Sequence, residues 1–318
     1  MLNQQRKEHE MKFAAIDIGS NAIRLLFTQV FGNGKEPYFK KDALFRVPIR
    51  LGEDVFVHQR ISEEKAHSLI EAMIAFKHLM ESYQPVDYMA CATSAMREAA
   101  NGAEIVKRIK TEALIDIEII NGQKEADLIY MNHIAEKLNP KKSYLYIDVG
   151  GGSTEVTLIA KGQVAVSHSF NLGTVRILNN LDSTDGWQAL KNWLKENTDK
   201  YQPLAGIGSG GNINTIFSLS RKKEGKPLSF RKMKKIYDDL NSYSFEERIR
   251  LLRLKPDRAD VIIPASKIFL SIMKWASMKK IYVPQIGLAD GIIHMLYEKH
   301  AQNSKLKSAS KSRVIQKV

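Results

Sequence analysis

AAIDIGSNAIRLLF (residues 14–27) and LYIDVGGGSTEVTL (residues 145–158) read alike. Each is an apolar run ending in an aspartate (Asp17, Asp148), then a small turn of glycine and serine, then a second apolar run. Short apolar runs bounded by glycine-rich turns read as strands. A strand–turn–strand unit that recurs in both halves of a chain is the mark of a duplicated fold. Two related α/β lobes facing each other across a cleft are therefore expected.

Outward from the first copy, Phe13–Ile18, Ile23–Val30 and Tyr38–Val47 read as strands, with Gly32-Asn33-Gly34 as a hairpin turn. Ser62 before Glu63 and Glu64 is an N-cap with an acidic first turn, and Leu69, Met73, Phe76 and Met80 line one face of the helix behind it. Strand Val86–Ala92, helix Ala103–Ala113, strand Asp116–Ile120 and helix Lys124–Leu138 complete a βββαβαβα half. Outward from the second copy come strands Tyr144–Val149, Glu155–Ala160, Val164–Phe170 and Leu204–Ile207, then a third glycine-rich stretch. Helices are expected near Phe230–Leu240, Phe245–Leu254, Ala259–Met278 and Leu288–His300, with strand Lys280–Val283 before the last. The expected division is a first lobe over 12–138, a second over 139–302 and a disordered tail over 303–318, rich in serine and lysine and devoid of acids.

Consecutive backbone N–H groups in a glycine–serine turn form a nest for phosphate oxygens, and glycine lets the backbone come close to the anion. Three stretches qualify: Gly19-Ser20-Asn21, Gly150-Gly151-Gly152-Ser153 and Gly208-Ser209-Gly210-Gly211. One such stretch is ordinary turn chemistry; two at matched positions favour phosphate binding. Asp17 and Asp148 stand before the matched turns, and two carboxylates beside a phosphate would repel it. A hard cation relieves the conflict by bridging carboxylate and phosphate oxygens. Asp17, Asp148 and Glu155, two residues past Ser153, are the candidate ligands for Mg²⁺, and Mn²⁺ suits the same oxygens. For a single aspartate, capping of the turn's own amides is an equal reading; the matched pair favours metal.

Lysine and arginine number 48 against 35 acids, a net charge of +13, which draws an anionic partner. Basic residues crowd the stretch Arg221–Lys235 (Arg221, Lys222, Lys223, Lys226, Arg231, Lys232, Lys234, Lys235), with Glu224 as its one acid. A solvated helix face or a nucleic-acid surface would account for the same count, so charge alone does not name the anion. No apolar run is long enough to cross a bilayer, so no membrane partner is expected. Met1–Lys12 is polar and lacks the apolar core of an export signal. The one cysteine, Cys91, lies in the apolar stretch Tyr88–Ala92 and reads as a buried core residue; a cytoplasmic location is expected.

In order along the chain, FAAIDIGSNAIRLLF (13–27), ATSAMREAANG (92–102), IEIINGQKEADLIY (117–130), YIDVGGGSTEVTL (146–158), FNLGTVRI (170–177), GIGSGGNINTI (206–216) and RADVIIPA (258–265) resemble the exopolyphosphatase and guanosine pentaphosphate phosphohydrolase (Ppx/GppA) family. The likeness runs from about Phe13 to about His300 and is to the short, two-domain form. It implies two actin-like (ribonuclease H-like) α/β domains of the sugar kinase, Hsp70 and actin superfamily around a central cleft. It also implies hydrolysis of phosphoanhydride bonds by activated water. The family's catalytic glutamate falls in a Gly-x-x-Glu-Ala segment, matched here by Gly122-Gln123-Lys124-Glu125-Ala126, so Glu125 is the implied general base. Arg97 is implied at the substrate phosphates, where a planar guanidinium clamps two oxygens. The stretch Gly208–Asn212 is implied as the other wall of the cleft.

Inorganic polyphosphate is the expected substrate, with guanosine pentaphosphate as the alternative. An actin-like ATPase or kinase, and a binder of polyphosphate or nucleotide without turnover, stay open as different classes. Nucleic acid is disfavoured, and a homodimer would match the habit of relatives. Three positions depart from the family pattern: Ala22 replaces a serine in the first turn, Lys124 an acid, and Ala289 an arginine in Gly287-Leu288-Ala289-Asp290-Gly291. None removes a proposed metal ligand or the proposed base.

Overall fold

The computed structural model describes residues 10–32, 37–132, 139 and 141–315. Asn33 and Gly34 of the expected hairpin turn, and residues 133–138 of the helix expected to Leu138, lie outside the described residues. The first half of the chain contains β1 (Glu10–Ile18), β2 (Ile23–Phe31), β3 (Tyr38–Val47), α1 (Leu51–His58), α2 (Glu63–Tyr83), β4 (Asp87–Ala92), α3 (Ser94–Glu98), α4 (Gly102–Glu112), β5 (Ile117–Ile119) and α5 (Gly122–Tyr130). The second half adds β6 (Ser143–Val149), β7 (Thr154–Ala160), β8 (Gln163–Phe170), α6 (Thr174–Leu178), α7 (Thr184–Thr198), β9 (Leu204–Ser209), α8 (Gly210–Leu219) and β10 (Leu228–Ser229). Helices α9 (Phe230–Asn241), α10 (Phe245–Arg250), α11 (Pro256–Ala259) and α12 (Ile262–Trp275), strand β11 (Lys280–Tyr282) and helix α13 (Leu288–Ile315) complete it.

The two sheets repeat one topology. The first runs β3-β2-β1-β4-β5, with β1, β2 and β3 antiparallel and β4 and β5 parallel to β1. The second runs β8-β7-β6-β9-β11, with the same alternation and β10 added at its edge. This is the duplicated arrangement that the repeated aspartate turns led one to expect.

Strand periodicity aims the aspartates. In β1, Ala14, Ile16 and Ile18 enter the first lobe's own core with Leu69, Met73 and Phe76 of α2. Phe13 and Ala15 point the other way, into a core shared between the lobes. Asp17 continues that second series, because alternate residues of a strand share a face. In β6, Leu145, Ile147 and Val149 enter the second lobe's core while Tyr144 and Tyr146 enter the shared one. Asp148 continues their series. Both carboxylates are thus delivered to the interlobe side by a period of two.

The shared core is built by a crossover. Helix α5, from the first half of the chain, packs on β7 and β8 of the second sheet, and α13, the last helix, packs on β1, β2 and β4 of the first. The two helices cross at Gly291, where a Cβ would lie 1.8 Å from the Leu128 carbonyl oxygen. Only glycine admits that approach.

Several elements differ from expectation. Helix α7 was not expected; Ser183 caps it by accepting from Gly186 N at 3.0 Å, and Leu190 and Leu194 bury its inner face. Helix α8 begins inside the third glycine stretch, at Gly210, and the helix expected over 259–278 is the shorter α12, with α11 ending where it was expected to start. The tail expected to be disordered from 303 continues α13 to Ile315: it carries no glycine or proline to stop a helix. Cys91 is fully buried as expected, and burial pushes its thiol up to about 12. Among the described residues no helix is long and apolar enough to cross a membrane.

Candidate active site

The two matched turns are the same turn. Gly19 N donates to Ala22 O at 3.2 Å, and Gly150 N donates to Ser153 O at 2.9 Å. They meet across the cleft: a Cβ on Gly151 would lie 2.9 Å from Ser20 Cβ, and one on Gly152 would lie 2.2 Å from Phe56 Cζ of α1. Glycine is therefore required where the lobes approach, as well as for any nest. Ser20 shares a hydrogen bond with Ser94 at 2.8 Å, and Asn21 Nδ2 donates to Asp257 O at 2.9 Å in the opposite lobe.

Asp17, Gly19, Ser20, Asn21, Glu125, Asp148, Gly150, Gly151, Ser153, Glu155, Gly210 and Gly211 all line one cavity of about 280 Å³ between the lobes. Gly210 adopts a φ of +89°, and a Cβ there would lie 2.7 Å from an Asp148 carboxylate oxygen. Gly152, Gly208, Ser209 and Arg97 do not line that cavity. Gly152 is spent on Phe56. Gly208 is a packing glycine, since a Cβ would lie 2.8 Å from the Ile213 side chain and 3.0 Å from Ile281. Ser209 is buried beneath the wall and donates to Ile286 O at 2.9 Å. The end of β9 thus supplies support, and only Gly210 and Gly211 face the cleft.

Helix α5 carries Glu125 in its first turn, capped by Asn121, whose side chain accepts from Lys124 N at 2.8 Å. The helix start lies against β8: a Cβ on Gly122 would lie 2.7 Å from Ser169 Cβ. Ser169 in turn donates to Glu155 Oε1 at 2.8 Å. Glu125 so reaches the second lobe's carboxylates although it belongs to the first half of the chain. Burial raises the Glu125 carboxyl well above the usual range, and Glu155, Asp148 and Asp17 raise it further. One of its oxygens, Oε2, is buried without a hydrogen-bond partner in the structure. Burial raises Asp148 to about 7, helped by Glu155 and Asp17. Burial raises Glu155 as well, against the pull of Ser153, Ser169 and Arg97. Arg97 donates through Nη1 to Ile120 O at 2.7 Å, and its charge favours ionised Glu125 and Glu155 from behind the wall.

The three expected metal ligands are not alike. Asp148 pairs in register with Glu155, whereas Asp17 pairs with Arg24, whose Nη1 donates to Asp17 Oδ2 at 2.5 Å. Among the described residues no three acidic, histidine or cysteine side chains are grouped as a ready ligand shell. The donor set still suits a hard cation: all donors are carboxylate oxygens, they raise one another, and Glu125 keeps an orphaned oxygen. Such an ion would complete its shell from phosphate oxygens and water.

Sequence reasoning missed the cationic side of the cleft. Arg24, Arg46, Lys41 and Arg258 line the same cavity as the carboxylates. Arg46 pairs with Asp257 and Lys41 with Asp290 at 2.8 Å. Arg258 donates to Asn212 Oδ1 at 2.7 Å and packs on Gly211, yet forms no ion pair among the described residues. Desolvation lowers it to about 9, helped by Arg24 and Arg46 and opposed by Asp257 and Asp260. The signal was RADVIIPA itself, whose first residue faces the cleft. The basic stretch 221–235 does not: α9 buries Met233, Ile236 and Leu240 and leaves its charges on the outer face, as a solvated helix would. Both departures from the family pattern that bear on the cavity, Ala22 and Ala289, line it.

Known proteins agree with this architecture. The crystal structure of an *Aquifex aeolicus* Ppx/GppA family member superposes with a TM-score of 0.72 at 26% identity, over 92% of this chain and 99% of that one. An exopolyphosphatase structure from *Cytophaga hutchinsonii* shares the fold with a TM-score of 0.79 at 23% identity, over 91% of this chain and 98% of that one. Among curated relatives, a bifunctional 3-dehydroquinate synthase/phosphatase of *Fusobacterium nucleatum* is 30% identical over 82% of this chain, which spans 43% of that protein's length. Exopolyphosphatase 1 of *Mycobacterium tuberculosis* is 22% identical over 94% of this chain and 92% of its own. The Ppx/GppA phosphatase family profile matches residues 44–300, and the chain belongs to that family.

Proposed function

We propose that the protein hydrolyses terminal phosphoanhydride bonds of inorganic polyphosphate, with Glu125 as the base that activates water. The observation that carries this reading is one cavity with carboxyls Glu125, Asp148 and Glu155 on one side and, on the other, the half-buried Arg258, which forms no ion pair among the described residues. A half-buried guanidinium crowded by Arg24 and Arg46 favours an anion, and a group of mutually raised carboxyls seeks a cation or a proton. A phosphoryl group bound with a divalent cation answers both.

In this reading the backbone of Gly19–Asn21, Gly150, Gly151 and Ser153, with Gly210 and Gly211, receives the terminal phosphate oxygens, while Arg24 and Arg258 balance their charge. Mg²⁺ or Mn²⁺ held by Asp148 and Glu155 would supply charge neutralisation at the transferred group. Glu125, its carboxyl raised by burial and by the neighbouring acids, orients a water and takes its proton. Arg97 serves as a positioning residue that keeps Glu125 available in the ionised form. Catalysis then rests on positioning and electrostatics, as phosphoryl transfer demands.

A groove lined by Arg46, Arg253, Lys255 and Arg258 continues from the cavity and supports an extended polyanion as substrate. The relatives named exopolyphosphatase agree with that choice; a relative from *Pseudoalteromonas translucida* named guanosine-5'-triphosphate,3'-diphosphate pyrophosphatase supports the nucleotide alternative. The test is phosphate release from long-chain polyphosphate, tripolyphosphate, guanosine pentaphosphate and ATP, with Mg²⁺ or with chelator. Metal-dependent release from polyphosphate is expected. Steady hydrolysis of ATP alone would sink the reading in favour of an ATPase.

A further inference from the structure

The two matched turns are built alike, but their carbonyls are not held alike. In the first turn Ser20 O accepts from Gly52 N at 2.8 Å and Asn21 O from Arg50 N at 3.2 Å. Both donors are backbone groups at the N-terminal end of α1. In the second turn Gly150 O accepts from Thr174 N at 3.0 Å and Gly151 O from Val175 N at 2.9 Å, the backbone groups that open α6. Gly152 O, the counterpart of Asn21 O, is held by a side chain instead: Arg176 Nε donates to it at 2.7 Å.

The Gly152–Ser153 peptide is where this difference counts. In a trans peptide the carbonyl and the following N–H point in opposite directions, so fixing Gly152 O aims Ser153 N–H. Ser153 lines the phosphate cavity, and its N–H donates to no backbone carbonyl among the described residues. A glycine at 152 leaves the peptide free to turn over, and a reversed peptide would offer a carbonyl oxygen to an anion. Arg176 is itself held from the first lobe. Its Nη2 pairs with Glu98 at the end of α3, and its guanidinium lies 4.2 Å from the ring centroid of Phe56 in α1. Phe56 is also the ring that packs on Gly152, and Val175 beside Arg176 enters the first lobe's core.

We infer that Arg176 is a positioning residue that locks the Gly152–Ser153 peptide with its N–H toward the bound phosphate, and does so only while Glu98 and Phe56 dock against α6. The inference rests on the cleft being a phosphate site. It makes the second lobe's nest depend on the first lobe, because the equivalent anchor of the first turn is backbone and the anchor of the second is not. An N–H aimed in advance acts most strongly on the charge that develops during transfer, so the lock serves turnover more than binding.

Arg176→Ala and Arg176→Lys test the lock, with Glu98→Gln loosening the contact without emptying the site and melting temperatures confirming folding. Steady-state phosphate release from tripolyphosphate is measured together with the amide spectrum of protein carrying isotope-labelled serine. Turnover of Arg176→Ala is expected to fall at least ~10-fold, short of the ~100-fold that outright loss of one such donor costs. KM should stay within about twofold, because the loss falls on the transition state while Arg24 and Arg258 still hold the chain. Guanidinium chloride below denaturing concentration should restore part of that turnover, beyond sodium chloride at equal ionic strength. Arg176→Lys should recover little, since an ammonium lacks the planar fork that serves Gly152 and Glu98 together. Unchanged turnover in folded Arg176→Ala, a loss carried by KM, or a fall that guanidinium does not lift would make Arg176 a packing residue only. Should Arg176→Ala not fold, Glu98→Gln carries the same readouts with a smaller fall, and no fall overturns the inference. If the wild type neither binds nor hydrolyses tripolyphosphate, the phosphate reading fails. The Ser153 amide of the free protein then decides the lock by itself: a resonance that moves or broadens in the variants supports it, and an unchanged one overturns it.

Discussion

Arg24 and Glu155 occupy the same register position in the two lobes, each opposite the aspartate that precedes its turn. In the first lobe that makes an ion pair, Arg24 with Asp17; in the second it makes two neighbouring acids, Glu155 with Asp148. Duplication supplied one scaffold, and a charge reversal at one position made the lobes unequal. The anion-seeking charge and the cation-seeking charge of the cleft sit on equivalent hairpins.

From that inequality, Asp148→Asn is expected to raise the Mg²⁺ concentration for half-maximal phosphate release far more than Asp17→Asn does. Loss of a direct ligand is expected to cost at least ~10-fold in metal affinity, above the low end known for a ligand's supporting partner. Metal titration of phosphate release checks this. Equal shifts in both variants would place the cation symmetrically between the lobes.

Glu125→Gln removes the proton acceptor but keeps the shape of the side chain. Turnover on polyphosphate is expected to fall at least ~100-fold while substrate affinity persists, as for loss of a general base. Single-turnover kinetics with a parallel binding measurement separates the two. A variant that keeps near-normal turnover removes Glu125 from the role.

Raised carboxyls make the metal-free protein sensitive to pH in a defined direction. A carboxyl with a raised folded-state pKa contributes its relative stability in full below its unfolded value and loses it as pH climbs through the folded value. For Asp148 the window runs from 3.8 to about 7. The melting temperature in chelator should therefore fall as pH rises from about 5 to 8, a loss on the order of a few kcal/mol. Asp148→Asn should flatten the profile, and Mg²⁺ should raise the melting temperature more at pH 8 than at pH 6. A metal-free profile that rises over this range would contradict the arrangement of charges.

Arg258 sits half-buried and forms no ion pair among the described residues, so its removal should trade function for stability. Arg258→Met is expected to weaken phosphate or tripolyphosphate binding by ~10- to 100-fold, the value of a charge-assisted hydrogen bond. The melting temperature should hold or rise, because a partly desolvated charge repelled by Arg24 and Arg46 is exchanged for an apolar chain. Calorimetric binding and thermal unfolding read the two effects. A large fall in melting temperature would mean that Arg258 is held by interactions stronger than its contact with Asn212.

Gly152 lies against Phe56 across the lobes, and a Cβ there would overlap the ring at 2.2 Å. Gly152→Ala should hold the turns apart and depress turnover while each sheet keeps its helices. Overpacking of this kind costs ~1–3 kcal/mol. The double variant Gly152→Ala with Phe56→Leu should recover part of the activity. Failure of the second change to rescue would place the damage elsewhere in the turn.

The duplicated strand–turn–strand could be read without a structure because apolar runs, glycine turns and a strand's period of two are local properties. From them followed two lobes, the aspartates at the turns and the glycine stretches that line the cleft. The same locality limits what can be read. Glu125 next to Glu155 depends on α5 crossing to the second sheet, and the shared core depends on α13 returning to the first. Arg24, Arg46 and Arg258 converge on one cavity from β2, β3 and α11. Gly208 looks like Gly210 in the sequence, yet one packs on Ile281 and the other faces the cleft. Residues distant in the chain acquire their chemistry from desolvation and from one another's charge, and both arise only when the lobes are packed together.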